Sequence, residues 1–390
     1  MKKWIAPVIC FLWASGFAAS CGTAAALGPA ESATVQRSLW VDSAHVDLAS
    51  PAVVNSLLGQ PIQRLVVASF EDGQTIFPTR SGLFRQMSSY KVGPDALESV
   101  IAKAHARGIR VYASLDCLQW SKAGAASSRD IFLAHPDLAE IGPPGGCASP
   151  ADGAYASPAN AEVRAALMAL AREMSGRYPR LDGVLLQCRL ASGVLLGYSA
   201  ADRIAYIRRT GIDPMDIALG EDPLPQDARI GLAWMKWRQD QVTDLLRGLA
   251  AAFRLGCPRA KIAVASSADW YRLTPLERNT SLDDWPLWES SGLVAEVALV
   301  GAWDEPAFQG VFATDVARSG GTKNGVPLTM VLRLSDGRSQ LDPLLALEDQ
   351  QGVPIRSLML RIANHDDIAR ASDFWTGTLP AIEKVLATQF

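Results

Sequence analysis

Arg177-Tyr178-Pro179-Arg180-Leu181-Asp182-Gly183-Val184-Leu185-Leu186-Gln187-Cys188-Arg189 joins the end of a helix to a short apolar strand. Upstream, Ser157-Pro158 introduces residues 160–178, where Val163, Ala166, Leu167 and Leu170 recur at helical spacing. Residues 183–187 are a short aliphatic block of the kind buried on both faces of a parallel sheet. A helix feeding such a strand predicts a parallel βαβ unit with a right-handed crossover.

The same alternation repeats outward in both directions. Strand-like blocks occupy residues 38–41, 64–69, 110–115, 183–187, 261–266, 295–300, 327–332 and 357–362. Gly93-Pro94-Asp95 opens an amphipathic run over 96–107 that Gly108 ends, and Gly256-Cys257-Pro258 stops the longest helix, 228–255. Eight strand–helix units with short connections, and no glycine-rich dinucleotide fingerprint, predict an α/β chain closed into one (β/α)8 TIM barrel. An open doubly wound sheet is the rival arrangement. The chain of 390 residues suits one barrel domain over 37–390, behind a signal segment at 1–20 and a flexible Gly/Ala/Ser/Thr-rich tether at 21–36.

Lys2 and Lys3 precede an apolar run over 4–17, and Ala18, Ala19, Ser20 and Cys21 follow. That order is the order of a secretory signal. Ala18-Ala19-Ser20-Cys21 resembles a bacterial lipobox lacking the usual Leu, with Cys21 as the lipidated residue. Ordinary cleavage after Ala24-Ala25-Ala26 fits the same pattern, and both readings stand. The expectation is an exported protein: periplasmic, held on the outer membrane as a lipoprotein, or secreted. The apolar run is short for a spanning helix, so membrane contact is expected only through the N-terminal lipid.

A net charge of -3, with 37 basic and 40 acidic residues interspersed, provides no footprint for nucleic acid. The four histidines include no two at metal-ligand spacing, so neither a zinc site nor another cofactor is expected. Of six cysteines, Cys117, Cys147, Cys188 and Cys257 lie beyond the signal and allow three full pairings. Cys117 with Cys147 would close one long loop, and four buried thiols are the plainer alternative. Two long Gly/Pro/Ser-rich loops, 121–156 and 191–225, follow strand ends and are expected to wall a site on that face.

An ordered series of motifs adds a resemblance. Trp40-Val41-Asp42-Ser43-Ala44-His45, Ala104-His105-Ala106-Arg107-Gly108-Ile109-Arg110-Val111, His135-Pro136-Asp137, Ser157-Pro158-Ala159-Asn160-Ala161-Glu162-Val163-Arg164 and the stretch 177–189 occur in turn. Tyr198-Ser199, Thr210-Gly211-Ile212-Asp213-Pro214 and Trp237-Arg238-Gln239-Asp240-Gln241-Val242 continue them. Together they resemble the bacterial glycosyl-hydrolase-like family ten, exported and often lipid-anchored TIM-barrel proteins. The resemblance implies hydrolysis of a polysaccharide or peptidoglycan-type glycan. Where that family's fourth strand ends in Asp, this chain has Gln187, and Phe70-Glu71-Asp72-Gly73-Gln74 puts Gln near another acid position. A carboxamide does not ionise, so it serves neither as base nor as carboxylate nucleophile.

Glycoside hydrolysis takes one protonated and one ionised carboxyl, and in a barrel these stand at strand C-termini. Asp42, Asp116, Asp304, Glu305 and Asp366 meet that condition on the strand positions above. Asp116 with Asp304 or Glu305 is the expected catalytic set. A loop cap or an arginine partner is the plainer role for each. Asp182 precedes strand four and is expected to be structural. His45 and His365 follow strands one and eight, where they would bond sugar hydroxyls or orient a carboxylate. Trp120, Trp270 and Trp303 follow strands three, five and six as candidate stacking faces for sugars. Trp234, Trp237, Trp285 and Trp288 fall at helical spacing and read as core. With Trp40, Asp42, Gln187 and Arg189, these strand-end histidines and tryptophans make the expected substrate-binding set. Two functions follow: a glycan hydrolase, or a glycan-binding pseudoenzyme without a complete acid pair.

Overall fold

The computed structural model describes residues 35–121, 131–143, 154–190, 195–217, 225–268, 281–301, 328–334 and 357–380. Eight parallel strands, β1 (Gln36–Val41), β2 (Arg64–Glu71), β3 (Arg110–Asp116), β4 (Gly183–Gln187), β5 (Lys261–Ser267), β6 (Glu296–Val300), β7 (Leu328–Arg333) and β8 (Ser357–Ile362), pair in chain order. β1 pairs with both β8 and β2, so the sheet closes on itself. This is a (β/α)8 barrel. Each strand lies within two residues of its sequence prediction, and the extension at the C-terminal end of β2 carries that strand through Glu71.

The helices between them are α1 (Pro51–Leu58), α2 (Ala96–His105), α3 (Ala161–Arg177), α4 (Ala200–Thr210), α5 (Pro225–Gly256), α6 (Trp285–Ser290) and α7 (Asp366–Asp373). Local chemistry starts and stops them. The Asp95 carboxylate accepts the Glu98 N–H at 3.2 Å at the start of α2, and the Asn160 side chain accepts the Glu162 N–H at 2.8 Å at the start of α3. Gly211, at φ 76°, closes α4 in the left-handed conformation that a Cβ disfavours.

Strand residues alternate between two cores. Leu39, Val67, Leu115, Leu186 and Leu299 face outward into the apolar layer beneath the helices. Trp40, Val66, Tyr112, Leu185 and Met359 face inward and fill the barrel. Gly183 is required there. A Cβ on it would lie 2.6 Å from the Tyr112 ring, which crosses the interior at that level.

The barrel floor is polar and closed. The buried Arg64 guanidinium donates to both Glu296 carboxylate oxygens, at 2.6 and 2.5 Å, and to Ser38 Oγ at 3.1 Å. Thr329 donates to Glu296 at 2.6 Å, and Arg64 lies over the Tyr112 ring at 5.1 Å. Each charge of this buried pair is neutralised by the other, whereas either partner alone would be left buried and uncompensated.

Asp182 has the expected structural role at the foot of β4, accepting the Val111 N–H at 2.7 Å and contacting His105 Nε2 at 2.9 Å. Trp234, Trp237, Trp285 and Trp288 are all buried, as their spacing predicts. Cys117, Cys188 and Cys257 are buried free thiols, while Cys147 lies outside the described residues. Among the described residues no helix is long and apolar enough to cross a membrane.

Candidate active site

The C-terminal mouth of the barrel is assembled from the residues that end each strand on its inward face. Alternation from Tyr112 and Leu185 brings Ser114 and Asp116 of β3, and Gln187 of β4, into that mouth. Asp116 and Gln187 are register partners, and the Gln187 amide lies 3.5 Å from Ser114 Oγ. Asp116 also accepts the Gln119 N–H at 3.0 Å, which fixes the turn after the strand. Arg361 of β8 comes from the opposite side and rests its guanidinium 5.1 Å from the centre of the Trp40 ring.

β2 departs from simple alternation. Its register against β3 shifts between Ala68 and Phe70 by a β-bulge. Phe70 therefore packs outward against Phe84 and Trp120, and the next residue, Glu71, falls on the inward face. Phe70 is in register with Leu115, so Glu71 stands level with Asp116 on the adjacent strand. The bulge carbonyls are satisfied: Ser43 Oγ donates to Ala68 O, and Ile76 N–H donates to Ser69 O at 3.3 Å. Glu71 was hidden from sequence reasoning because a period of two ends the strand at residue 69 and leaves Glu71 in a turn. The acid sits two residues later on the strand, and Gln74 pairs opposite it in the hairpin that follows.

Asp42 continues β1, its N–H donating to Ile362 O at 2.9 Å. Its buried carboxylate accepts the Ala44 N–H at 3.1 Å and lies 3.4 Å from His45 Nδ1. The His45 ring is mostly exposed at the rim. Tyr90 pins this loop, donating to Ser43 O at 2.8 Å and accepting the Leu48 N–H at 3.3 Å. Burial, with the nearby Asp47, Asp42 and Glu71 charges, pushes its hydroxyl up to about 12, so it stays protonated. His365 and Asp366 are exposed at the start of α7, and neighbouring Asp367 caps that turn by accepting the Ala363 N–H at 2.9 Å.

Trp40 and Trp120, both of the expected substrate-binding set, present no free face. Trp40 is 1% exposed inside the barrel. Trp120, also 1% exposed, stacks on Phe132 and meets Phe84 edge-on, while its indole N–H donates to Cys117 O at 2.9 Å. Both are packing residues that support the mouth from below and from the side, in place of the substrate contact expected of Trp40 and the sugar platform expected of Trp120. Trp270, Trp303, Asp304 and Glu305 lie outside the described residues, as does Cys21. Arg189 is half-buried and acts electrostatically on Asp283, whose carboxyl is raised by burial and opposed by bonds from Ser266 and the Ser267 N–H.

The two long loops meet over β3 and β4. Tyr198 N–H donates to Ile141 O at 3.1 Å, and Arg238 of α5 reaches Glu140 at 3.2 Å with both side chains fully buried. The hairpin residues that follow Glu71 in the chain, Asp72, Gly73 and Gln74, line a cleft of about 420 Å³ with Arg85, Lys91 and His135. Among the described residues no group of three or more His, Cys, Asp or Glu side chains could hold a metal ion.

The model of the glycosyl hydrolase-like 10 family matches residues 33–334. The chain belongs to that family. The match spans β1 to β7 and so includes every mouth residue above except Arg361 of β8 and those that follow it. No curated protein sequence matches the chain. Among solved structures, this glycosyl hydrolase-like 10 barrel is similar to a β-galactosidase from the psychrophilic Marinomonas ef1 (TM-score 0.54, 11% identity, 90% of this chain and 60% of that one). It is also similar to a cold-adapted β-galactosidase from Rahnella sp. R3 (TM-score 0.57, 12% identity, 90% and 57%). A third is Gan42B, a GH42 β-galactosidase from G. stearothermophilus (TM-score 0.58, 13% identity, 90% and 57%). The chain spans about three fifths of the length of these enzymes, and at such identities the likeness is one of fold.

Proposed function

We propose that this protein is an exported glycoside hydrolase that cleaves a polymeric glycan at the barrel mouth, with Glu71 and Asp116 as its carboxyl pair. The observation that carries the reading is their placement: same level, same face, neighbouring strands. Adjacent strands run about 4.8 Å apart. Side chains leaving one face of such neighbours can bring their carboxyls to the roughly 5–5.5 Å that retaining glycosidases use.

The environments divide the roles. Burial disfavours the charged form, which suits the enclosed Glu71 to the general acid. Asp116 is more open and receives a backbone N–H, which suits it to the ionised nucleophile. Glu71 would protonate the glycosidic oxygen as Asp116 attacks the anomeric carbon. Glu71, now ionised, would deprotonate the water that releases the sugar from Asp116. The Gln187 amide, level with Asp116, would donate to a sugar hydroxyl or to the nucleophile.

The signal pattern ahead of residue 21, with lipid attachment at Cys21 or cleavage beyond it, supports an extracytoplasmic site of action and an envelope or exterior glycan. Asp304 and Glu305 follow β6 in the sequence, and either supplies the alternative partner for Asp116. Glu305→Gln is therefore the control substitution. Gln187 favours a second reading, in which the groove binds glycan without turnover. Reducing-end release from polysaccharides and denuded peptidoglycan tests both: wild-type release abolished by Glu71→Gln and Asp116→Asn supports the first. Oligosaccharide binding by calorimetry with no release from any substrate supports the second.

A further inference from the structure

Cys117 and Cys188 each follow their strand by one residue, immediately beyond the register pair Asp116–Gln187. The ladder continues to that point, because the Cys117 N–H donates to Gln187 O at 3.0 Å. Both side chains point outward into the apolar layer, and both are buried, at 0% and 1% exposure. Neighbouring strands place such residues about 5 Å apart at Cα, inside the roughly 4.4–6.8 Å window that a disulfide accepts. The two thiols are already in side-chain contact, with Cys188 acting directly on the Cys117 sulfur. Cys257 is elsewhere, its thiol donating to Tyr178 O at 3.2 Å beside the end of α3.

We propose that Cys117 and Cys188 form a disulfide that ties β3 to β4 at the level of Asp116 and Gln187. The pairing differs from the Cys117–Cys147 loop that the sequence allowed, and it does not depend on the reading of the active site. One thiolate attacks a disulfide oxidant of the glutathione or oxidoreductase class, forming a mixed disulfide and releasing one thiol. The second cysteine thiolate then displaces the other half. Two thiols become one disulfide, and the oxidant leaves as two thiols carrying both protons and both electrons. Desolvation holds the Cys117 thiol well above its ordinary range, so exchange belongs to the folding chain rather than to the closed barrel.

The test refolds the full chain in oxidised-glutathione buffer, then unfolds it in excess alkylating agent and maps the cysteines by peptide mass spectrometry without reduction. The expected result is a crosslinked peptide pair holding Cys117 and Cys188, with Cys257 alkylated. The oxidised protein should melt several degrees above the reduced one, reversibly with dithiothreitol, and Cys257→Ser should keep that shift. Both Cys117 and Cys188 alkylated after oxidative refolding to soluble protein, or Cys117 linked to Cys147, would overturn the proposal. Because the mapping uses the wild-type chain, it stands even where Cys117→Ser or Cys188→Ser fails to fold.

Discussion

Glu71 stands beside Asp116 because one extra residue in β2 turns it there. The bulge between Ala68 and Phe70 sends Phe70 outward against Phe84 and Trp120, and Glu71 inherits the inward face one level above the Phe70–Leu115 register pair. The carboxyl pair is thus a product of backbone irregularity as much as of residue choice.

Replacing either carboxyl by its amide keeps volume and removes the ionisable proton. Glu71→Gln and Asp116→Asn are each expected to lower kcat on a cleaved glycan by about 10²–10⁴-fold, the usual yield of a positioned acid or base. Circular dichroism and melting of the variants should match wild type. A variant that keeps full turnover removes that residue from the chemistry.

Ser43 holds the bulge by donating to the Ala68 carbonyl across the β1–β2 gap. Ser43→Ala leaves a buried acceptor without its donor, at a cost of about 1–3 kcal/mol. The denaturant midpoint should fall accordingly, and kcat should fall with it as Glu71 loses its fixed position. Stability lost with kcat unchanged would separate the bulge from catalysis.

The floor makes the opposite prediction. Glu296→Ala strands the buried Arg64 charge and is expected to cost roughly 3–5 kcal/mol. Where the variant folds, KM should equal that of wild type, since Glu296 sits at the closed end of the barrel. Urea unfolding beside steady-state kinetics measures both.

Glu140 gives a pH signature. Burial, reinforced by Asp202 and opposed by Arg238, pushes its carboxyl up to about 8 in the folded protein, against an ordinary value near 4.5. Between those values the folded state holds a proton that the unfolded state has lost, so stability falls as pH rises. The contribution is fully present below about 4.5 and gone above about 8. Melting temperature should decline across that window, and Glu140→Gln, which cannot titrate, should flatten the slope.

The barrel was legible because its strands are buried on both faces. Val, Ile and Leu blocks separated by capped helices leave little choice of register or period. The site was legible only where alternation held. Asp116 and Gln187 end strands without bulges, and their predicted positions agree with the register pairing of β3 and β4. Glu71 follows a bulge, which no period-two pattern reveals. Trp40 and Trp120 sit at strand ends as expected, yet an indole there fills the barrel or its flank as readily as it meets a sugar. Residue type does not separate those uses; the free face does.

The stereochemistry of the first product tests the carboxyl pair most directly. Proton NMR of a cleaved glycan, recorded before mutarotation, reads the anomeric configuration as the bond breaks. A double displacement at Asp116 with Glu71 about one strand away predicts retention. Inversion would contradict it, because a double displacement at Asp116 inverts the anomeric carbon twice and so leaves its configuration unchanged.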